Sequence, residues 1–162
     1  MYIRSSNPSD LDEIEKIYAD AREKMKREGN PCQWGSTHPP KEMILEDFKQ
    51  GTGYVAVENG EICGVFAFII GEDPTYVNIE GEWLNNEEYG TIHRIAGSRK
   101  ASGVLKAALD HCSRLCPNIK IDTHEDNKIM QHLLEKLGFS RCGIIYVMDG
   151  TPRIAYQKKY SV

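Results

Sequence analysis

The sequence predicts a mixed α/β domain, with a central, mostly antiparallel sheet of about seven strands flanked by four helices. The first observation behind this prediction is the order of strand-like and helix-like segments, which reads β, α, α, β, β, β, α, β, α, β, β. The second is the succession of a strand, a helix and a strand, which implies a parallel crossover. The third is a pair of hairpin signals, which imply antiparallel pairing on either side of that crossover.

The first half of the chain contains a strand, two helices and a hairpin. Ser9, with Asp12 three residues later, resembles the cap of a helix, and Gly29 ends the apolar pattern of that helix. The turn signal Asn59-Gly60 predicts the hairpin. The elements expected here are a strand at 2–6, a helix from 11 to 28, a loop at 30–40, a helix at 41–50 and strands at 54–57 and 62–70.

The second half alternates strands and helices. Pro117 stops the helix whose apolar face begins at Val104, and Asp126 or Asn127 caps the next helix, which Gly138 ends. The elements expected here are an acidic, less regular stretch at 71–90 in which 76–79 have some strand character, strands at 89–96 and 119–122, helices at 103–116 and 127–137, and closing strands at 140–148 and 153–160.

The length and composition indicate one domain with an ordinary hydrophobic core. The chain has 162 residues, of which 40% are hydrophobic and 27% are charged. The formal net charge of −4 gives no electrostatic reason to expect a nucleic acid or a membrane as partner. Because charged residues such as Arg4 come early and the longest apolar run is only Gly64 to Ile70, we expect no signal peptide, no bilayer-spanning segment and a cytosolic location.

The five cysteines indicate reduced thiols, because an odd count does not suit a disulfide framework. Cys112 and Cys116 lie four residues apart on an expected helix and could ligate a metal ion. No second Cys/His pair of matching spacing follows them. Buried core thiols are therefore the favoured interpretation, and no metal is expected.

The segment from Lys100 to Leu105 lies between a strand and a helix, where free backbone N–H groups and partial positive charge suit phosphate oxygens. Gly103 allows close approach of the backbone, and Ser102 is placed to cap the helix. Arg99 and Lys106 add full positive charge. A solvated basic turn would contain the same residues, and a single glycine does not separate the two interpretations.

Three motifs resemble those of the GNAT superfamily of acyl-CoA-dependent N-acetyltransferases, and the order of elements fits over nearly the whole chain. Lys100-x-x-Gly103-x-Leu105 resembles the family's pyrophosphate motif, Arg/Gln-x-x-Gly-x-Gly/Ala. Ile92 to Ala96 resembles the strand that runs into that motif. Further on, Asn127 and Leu137-Gly138-Phe139 resemble the start and the end of the next helix. The resemblance implies the GNAT α+β architecture, with acetyl-CoA as cosubstrate.

The resemblance also implies where acetyl-CoA binds. The backbone of Ile95 and Ala96 is expected to pair with the pantetheine arm like an added strand, and Asn127 is expected to hydrogen-bond the arm near its end. The full set of implied cofactor residues is Arg94, Ile95, Ala96, Lys100, Ala101, Ser102, Gly103, Val104, Leu105 and Asn127.

The sequence departs from the family pattern at several positions. Lys100 replaces the commoner Arg or Gln, and Leu105 replaces a small residue. The loop from 96 to 100 is shorter than usual by about two residues. Leu134 stands where many relatives carry a Tyr that acts as general acid near the CoA sulfur. Another group, or water, must therefore protonate the leaving thiolate.

Direct attack of an amine on a thioester requires a neutral nitrogen, so the site needs a base, and the leaving thiolate benefits from an acid. Glu80, in the acidic stretch before the central strand, is the first candidate base, and Glu82 is the alternative. His93 on the central strand and His124 after the following strand are further candidates. Tyr146 is the candidate acid. Each side chain also fits an ordinary surface or core role.

The acceptor is expected to be a primary amine, on a small molecule, a peptide N-terminus or a lysine. Its pocket is expected to involve Trp34, Tyr76, Glu82 and Trp83. The alternative function is a non-catalytic acyl-CoA-binding or sensor domain, which the missing Tyr favours. An unrelated nucleotide-binding fold is disfavoured because neither Gly-x-x-x-x-Gly-Lys-Ser/Thr nor Gly-x-Gly-x-x-Gly occurs. A homodimer is a habit of the family.

Overall fold

A computed structural model describes residues 1–99 and 101–161 of the chain. Within them the strands are β1 (Tyr2–Ser5), β2 (Gly53–Glu58), β3 (Glu61–Ile70), β4 (Glu80–Gly81), β5 (Gly90–Gly97), β6 (Asn118–Thr123), β7 (Ser140–Tyr146) and β8 (Pro152–Lys159). The helices are α1 (Leu11–Arg27), α2 (Lys41–Gln50), α3 (Val104–Leu115) and α4 (Lys128–Lys136). None of these helices is long and apolar enough to cross a membrane.

The strands form one mixed sheet in the order β1-β2-β3-β5-β6-β8-β7-β4. Every neighbouring pair is antiparallel except β5 and β6, which are parallel. The predicted mixed, mostly antiparallel architecture with helices on its faces is therefore confirmed. The sheet has one strand more than expected, because the two-residue β4 pairs with β7 at the far edge. The prediction of strand character at residues 76–79 is wrong, since a 3-10 turn occupies Pro74–Tyr76 instead.

The start of the first helix differs from the Ser9 cap that the sequence suggested. A capping box forms two residues earlier and begins a 3-10 turn, Pro8–Asp10, that leads into α1: Asn7 Oδ1 accepts the Ser9 N–H at 3.0 Å and Asp10 Oδ2 accepts the Asn7 N–H at 2.9 Å. Asp10 also binds Arg4 of β1 at 2.8 Å. The fourth helix begins as predicted, because Asn127 Oδ1 accepts the Met130 N–H at 3.1 Å.

The two faces of the sheet are covered differently. On the lower face, α3 and α4 bury one continuous apolar cluster that includes Phe66, Phe68, Ile92, Leu109, Ile119, Leu134 and Ile154. Cys112 and Cys116 lie in this cluster as buried free thiols. The upper face carries two separate clusters. One packs α1 and α2 on β2 and β3, and the other packs residues 76–89 on β7 and β8. The middle of the upper face, above β5 and β6, lies between them.

Strands β5 and β6 run side by side at their first residues and then separate after Thr91 and Lys120. We call this point of separation the splay. The two strands pair only at Gly90–Ile119 and Thr91–Lys120. Further along β5, the register with β3 shifts between His93 and Ala96. Arg94 within this bulge has a φ of +53°, which is rare for a residue with a side chain. Beyond Thr91, the edge of β5 that faces β6 pairs with no strand among the described residues.

Candidate functional site

The beginning of α3 lies directly after the end of β5 and presents free backbone donors. Gly103 precedes the helix with a φ of +82°, a conformation that glycine adopts without strain. The Ala107 N–H donates to the Gly103 carbonyl at 3.0 Å and makes the first hydrogen bond of the helix. The N–H groups of residues 103–106 therefore have no acceptor within the helix. The expected Ser102 cap is wrong, because no side chain caps this helix. Lys100 lies outside the described residues.

The side chains that begin α3 point into the core rather than toward these donors. Val104 and Leu105 are both only 7% exposed. A Cβ atom on Gly64 of β3 would lie 2.6 Å from Val104 Cγ1, so α3 approaches the sheet closely. Ser102, Gly103 and Lys106 are exposed at the start of the helix, whereas Ala101 packs beside Val104. Leu105, the departure from the family's small residue, therefore fills the hydrophobic core.

His93 projects from β5 on the upper face and is held by Asp73. Its Nε2 lies 3.2 Å from Asp73 Oδ2. Asp73 Oδ1 accepts the backbone N–H and the hydroxyl of Thr75, at 2.8 and 2.7 Å. Burial raises the pKa of the Asp73 carboxyl, but hydrogen bonds from His93 and Thr75 outweigh burial and hold that pKa at about 2. Asp73 is therefore ionised at neutral pH and fixes the imidazole.

Asp122 occupies the corresponding position on β6. Its Oδ2 accepts the Tyr76 hydroxyl at 2.6 Å, and Tyr76 itself is only 2% exposed. Burial raises the pKa of Asp122, and this effect exceeds the lowering by the Tyr76 hydrogen bond and by the nearby His93 and Arg153 side chains. The splay is thus flanked on the upper face by His93 from one strand and Asp122 from the other. Sequence reasoning identified His93 and Tyr76 but not Asp73 or Asp122.

The bulge of β5 is fixed by two contacts from the helices above it. The Tyr18 hydroxyl, on α1, donates to the Arg94 carbonyl at 2.8 Å. The Arg94 Nη2 donates to both carboxylate oxygens of Asp47, on α2, at 2.9 Å. The guanidinium of Arg94 is thus neutralised within the protein. A cavity of about 410 Å³ lies beside this ion pair and is also bordered by Met43 and Ile69.

The loop between α1 and α2 reaches across to the start of α4. Gln33 Oε1 accepts from Asn127 Nδ2 at 3.1 Å and from Asn30 Nδ2 at 2.9 Å. Trp34, in the same loop, is 9% exposed and packs edge-on against Tyr18 at 5.6 Å between ring centroids. The loop therefore lies over the splay between β5 and α4.

The remaining candidate residues fall elsewhere. Glu80 lies on the edge strand β4, where its Oε1 accepts the Tyr146 hydroxyl at 2.9 Å, and this hydrogen bond raises the pKa of Tyr146. Glu82 is exposed in the chain that follows β4. His124 Nδ1 accepts the Asp126 N–H at 3.0 Å in the turn before α4. The structure therefore brings Tyr146 and Glu80 together on β7 and β4, two and three strands away from β6, and it does not bring either to His93.

Trp83 belongs to a buried arrangement around Lys120 of β6. The Lys120 Nζ lies 4.0 Å from the centroid of the Trp83 ring and 3.8 Å from that of Tyr89. Burial lowers the pKa of Lys120 to about 8. Trp83 Nε1 also donates to the Tyr76 carbonyl at 2.9 Å. These contacts attach the segment that carries Asp73 and Tyr76 to the sheet.

The chain is similar to known acetyltransferases in sequence and in structure. Residues 11–139 match the acetyltransferase (GNAT) family. A GNAT-family acetyltransferase from Streptococcus agalactiae has 34% identity and a TM-score of 0.89, over 99% of this chain and 95% of that one. No curated protein gives a significant match.

Two more distant structures share the fold alone. A GNAT-family acetyltransferase from Listeria monocytogenes has 21% identity and a TM-score of 0.71, over 97% of this chain and 93% of that one. A GNAT-superfamily phosphinothricin acetyltransferase from Sinorhizobium meliloti, in complex with acetyl-CoA, has 16% identity and a TM-score of 0.64, over 98% of this chain and 88% of that one. Within the described residues no group of His, Cys, Asp and Glu is arranged to hold a metal ion.

Proposed function

Because the chain belongs to the GNAT acetyltransferase family, we propose that it transfers the acetyl group of acetyl-CoA to the nitrogen of a primary amine by direct attack. The observation that carries this proposal is the splay, where β5 presents an edge without a neighbouring strand beside the free N–H groups that begin α3. An edge of this kind can pair with the amides of an extended arm, and a helix start binds phosphate.

The residues around the splay fit the chemistry of acetyl-CoA. The backbone of Ile95 and Ala96 would bind the pantetheine arm, and residues 101–105 would bind the pyrophosphate. The Asn127 amide would hydrogen-bond the end of the arm. At the end of β6, the buried Thr123 hydroxyl has no hydrogen-bond partner among the described residues, so it offers a further polar contact for the arm.

We assign the general base to His93. If its Nε2–H donates to the ionised Asp73, its Nδ1 is left as a proton acceptor. The neutral amine attacks the thioester carbonyl, a C–N bond forms, the C–S bond breaks, and His93 takes the proton that the nitrogen loses. Asp73 stabilises the resulting imidazolium, and Asp122 across the splay attracts the amine in its ammonium form.

Leu134, at the position where many relatives carry the acid Tyr, is fully buried in the lower core and has no proton to donate to the leaving thiolate. Water is the proton donor we favour for this step. Glu80, Glu82 and His124 stay predictions for the base, and Tyr146 stays a prediction for the acid. A homodimer and a cytosolic location also stay predictions.

Release of free CoA thiol from acetyl-CoA in the presence of primary amines tests the proposal. We expect His93→Gln to lower kcat by roughly 100- to 10,000-fold, the usual contribution of a positioned base, while CoA affinity changes little. His132→Gln, on the exposed side of α4, is the matched control and should keep full activity.

The same assay separates the enzyme from the alternative sensor function. A sensor would bind CoA and release no thiol with any amine, and that result would contradict the proposed transfer. Unchanged turnover in His93→Gln would leave the transfer intact and return the base to Glu80, Glu82 or His124.

A further inference from the structure

Arg153, at the start of β8, is a nearly buried cation without an ion-pair partner among the described residues. It is 8% exposed. Its Nη1 donates to the Thr151 hydroxyl at 3.0 Å and to the Pro152 carbonyl at 2.8 Å, which are both neutral acceptors. Its Nε and Nη2 donate to no described group. Burying a guanidinium costs free energy unless an anion pairs with it.

The position of Arg153 places this charge on the upper face. Ala155, two residues along β8, pairs with Asp122 of β6 and packs in the upper-face cluster with Tyr76. Residues two apart on a strand share a face, so Arg153 points to the same side, one step beyond Asp122. The Arg153 charge is also close enough to Asp122 to oppose the rise in its pKa.

The charge of Arg153 reaches the loop above as well. Burial lowers the pKa of the His38 imidazole, and the positive charges of Arg94 and Arg153 lower it further. His38 belongs to the loop that lies over the splay. The guanidinium of Arg153 is therefore near enough to this loop to act on His38, and it lies on the same face of the sheet as His93 and Asp122.

Arg94, the cation of the β5 bulge, differs from Arg153 because it has an ion-pair partner. Arg94 is paired with both carboxylate oxygens of Asp47 at 2.9 Å. Arg153, in contrast to Arg94, keeps its Nε and Nη2 as donors for a ligand. A single planar guanidinium offers two parallel N–H bonds, which match the two oxygens of one carboxylate.

We infer that the acetyl acceptor is an amino acid-like molecule, in which the amine is acetylated and a carboxylate in the same molecule binds Arg153. This inference rests on the proposed acetyl transfer. The amine lies toward His93 and Asp122, and the carboxylate lies toward β8. A polyamine would bring positive charge against Arg153 and leave the guanidinium unpaired.

Matched acceptors test the inference on the unmodified protein. Common L-amino acids and longer-chain ω-amino acids are compared with the same compounds as carboxamides, as decarboxylated amines and as aminoalkyl phosphates, using release of CoA thiol as the readout. We expect kcat/KM for the best amino acid to exceed that of its amide and its decarboxylated amine by roughly 30-fold or more, as for a buried charge pair that loses one partner.

Variants of Arg153 assign the preference to this side chain. Arg153→Gln should raise KM for the carboxylate acceptor by roughly 30-fold or more with a smaller change in kcat, and should leave the amide unaffected. Arg153→Lys should recover part of the loss, because it keeps the charge but not the planar fork. Arg141→Gln, an exposed arginine of β7, is the control that should behave like the parent.

The outcomes distinguish this inference from the proposed function. If amides or decarboxylated amines are acetylated as well as the amino acids, or if aminoalkyl phosphates are preferred, acetyl transfer stands and the carboxylate acceptor is overturned. If no acceptor releases thiol from bound acetyl-CoA, the proposed function fails and the inference fails with it. The comparison of acceptors needs no variant, so a poorly folded Arg153→Gln protein does not prevent the decision.

Discussion

His93 and Asp122 lie on the two strands that part, and each is held by a residue of the same short segment. Asp73 binds His93 and Tyr76 binds Asp122, only three residues apart along the chain. One irregular segment therefore sets the orientation of polar groups on both sides of the splay. Mutations that displace this segment should therefore disturb the contacts of both His93 and Asp122.

The Asp73–His93 contact predicts a dependence of stability on pH. The carboxyl has a pKa of about 2 in the folded protein, against an ordinary value of 3.8. A lowered folded-state pKa stabilises the protein fully above the ordinary value, and this stabilisation is lost as the pH falls from about 4 toward 2. Asp73→Asn should cost about 2 kcal/mol of unfolding free energy at pH 7.

Urea unfolding at several pH values measures this prediction. The difference between parent and Asp73→Asn should be constant from pH 7 to about 5 and should narrow below about pH 4. Glu72→Gln, at the exposed neighbouring position, controls for general loss of negative charge. A difference that stays the same down to pH 3 would show that the carboxylate charge is not the source of the stabilisation.

Single residues of the site were only partly readable from the sequence. His93 is a candidate from the sequence because it lies on the expected central strand and a histidine can act as a base at neutral pH. Asp73, Asp122 and Arg153 did not, because each looks like an ordinary polar residue near a strand end. Glu80 was chosen from local acidity, yet the structure places it at the outer edge, because β4 pairs with β7 rather than with its neighbours in sequence.

At the scale of elements, a buried polar network attaches residues 84–88 to the sheet. Gln157 Nε2 donates to Asn118 Oδ1 at 2.8 Å, and Gln157 Oε1 accepts the Leu84 N–H at 2.8 Å. Asn118 Nδ2 donates to Asn85 Oδ1 at 2.9 Å and to the Glu88 carbonyl at 3.1 Å. Both central side chains are fully or almost fully buried, so water cannot replace a lost partner.

The network predicts a large effect for a conservative truncation. Asn118→Ala should lower the unfolding free energy by about 2 kcal/mol, since it leaves the Leu84–Glu88 chain and Gln157 with unsatisfied groups. Asn86→Ala, an exposed asparagine in the same chain, should change it by less than about 0.5 kcal/mol. Equal effects in the two variants, measured by chemical denaturation, would contradict a structural role for the network.

The helices were more predictable than the short strands because helical periodicity is a local property of the sequence. All four expected helices are present, and Asn127 begins α4 as expected. The two-residue β4 carries no alternation, and its existence depends on a partner strand distant in sequence. The capping box at Asn7 was missed because Ser9 and Asp12 offered a similar pattern two residues later.

On the scale of the whole molecule, the sequence does not predict the splay, and only the resemblance to a family implies that the backbone of Ile95 and Ala96 is free to pair with the pantetheine arm. The bulge beside it is contacted by Tyr18 and Asp47, which come from the two helices above the sheet. No local pattern in β5 encodes contacts over these sequence separations. The order of elements was readable from the sequence, whereas the shape of the site follows from how distant elements meet.

Hydrogen exchange tests where CoA binds. CoA should slow exchange of backbone amides in residues 94–97 and 101–106, because the strand edge and the helix start gain acceptors. Pantetheine, which lacks the pyrophosphate, should protect the first segment and not the second. Protection by CoA confined to regions other than these would contradict the proposed cofactor site, and amides of the β2–β3 hairpin provide an internal control.

The two tryptophans of the chain lie on opposite sides of the middle of the upper face. Trp34 belongs to the loop hydrogen-bonded to α4 through Gln33, and Trp83 stacks on Lys120 in the segment that carries Asp73 and Tyr76. The protein thus contains a separate intrinsic fluorophore for each wall of its site. Replacing one indole at a time with phenylalanine would let the emission of the other report the movement of its own wall, without any attached dye.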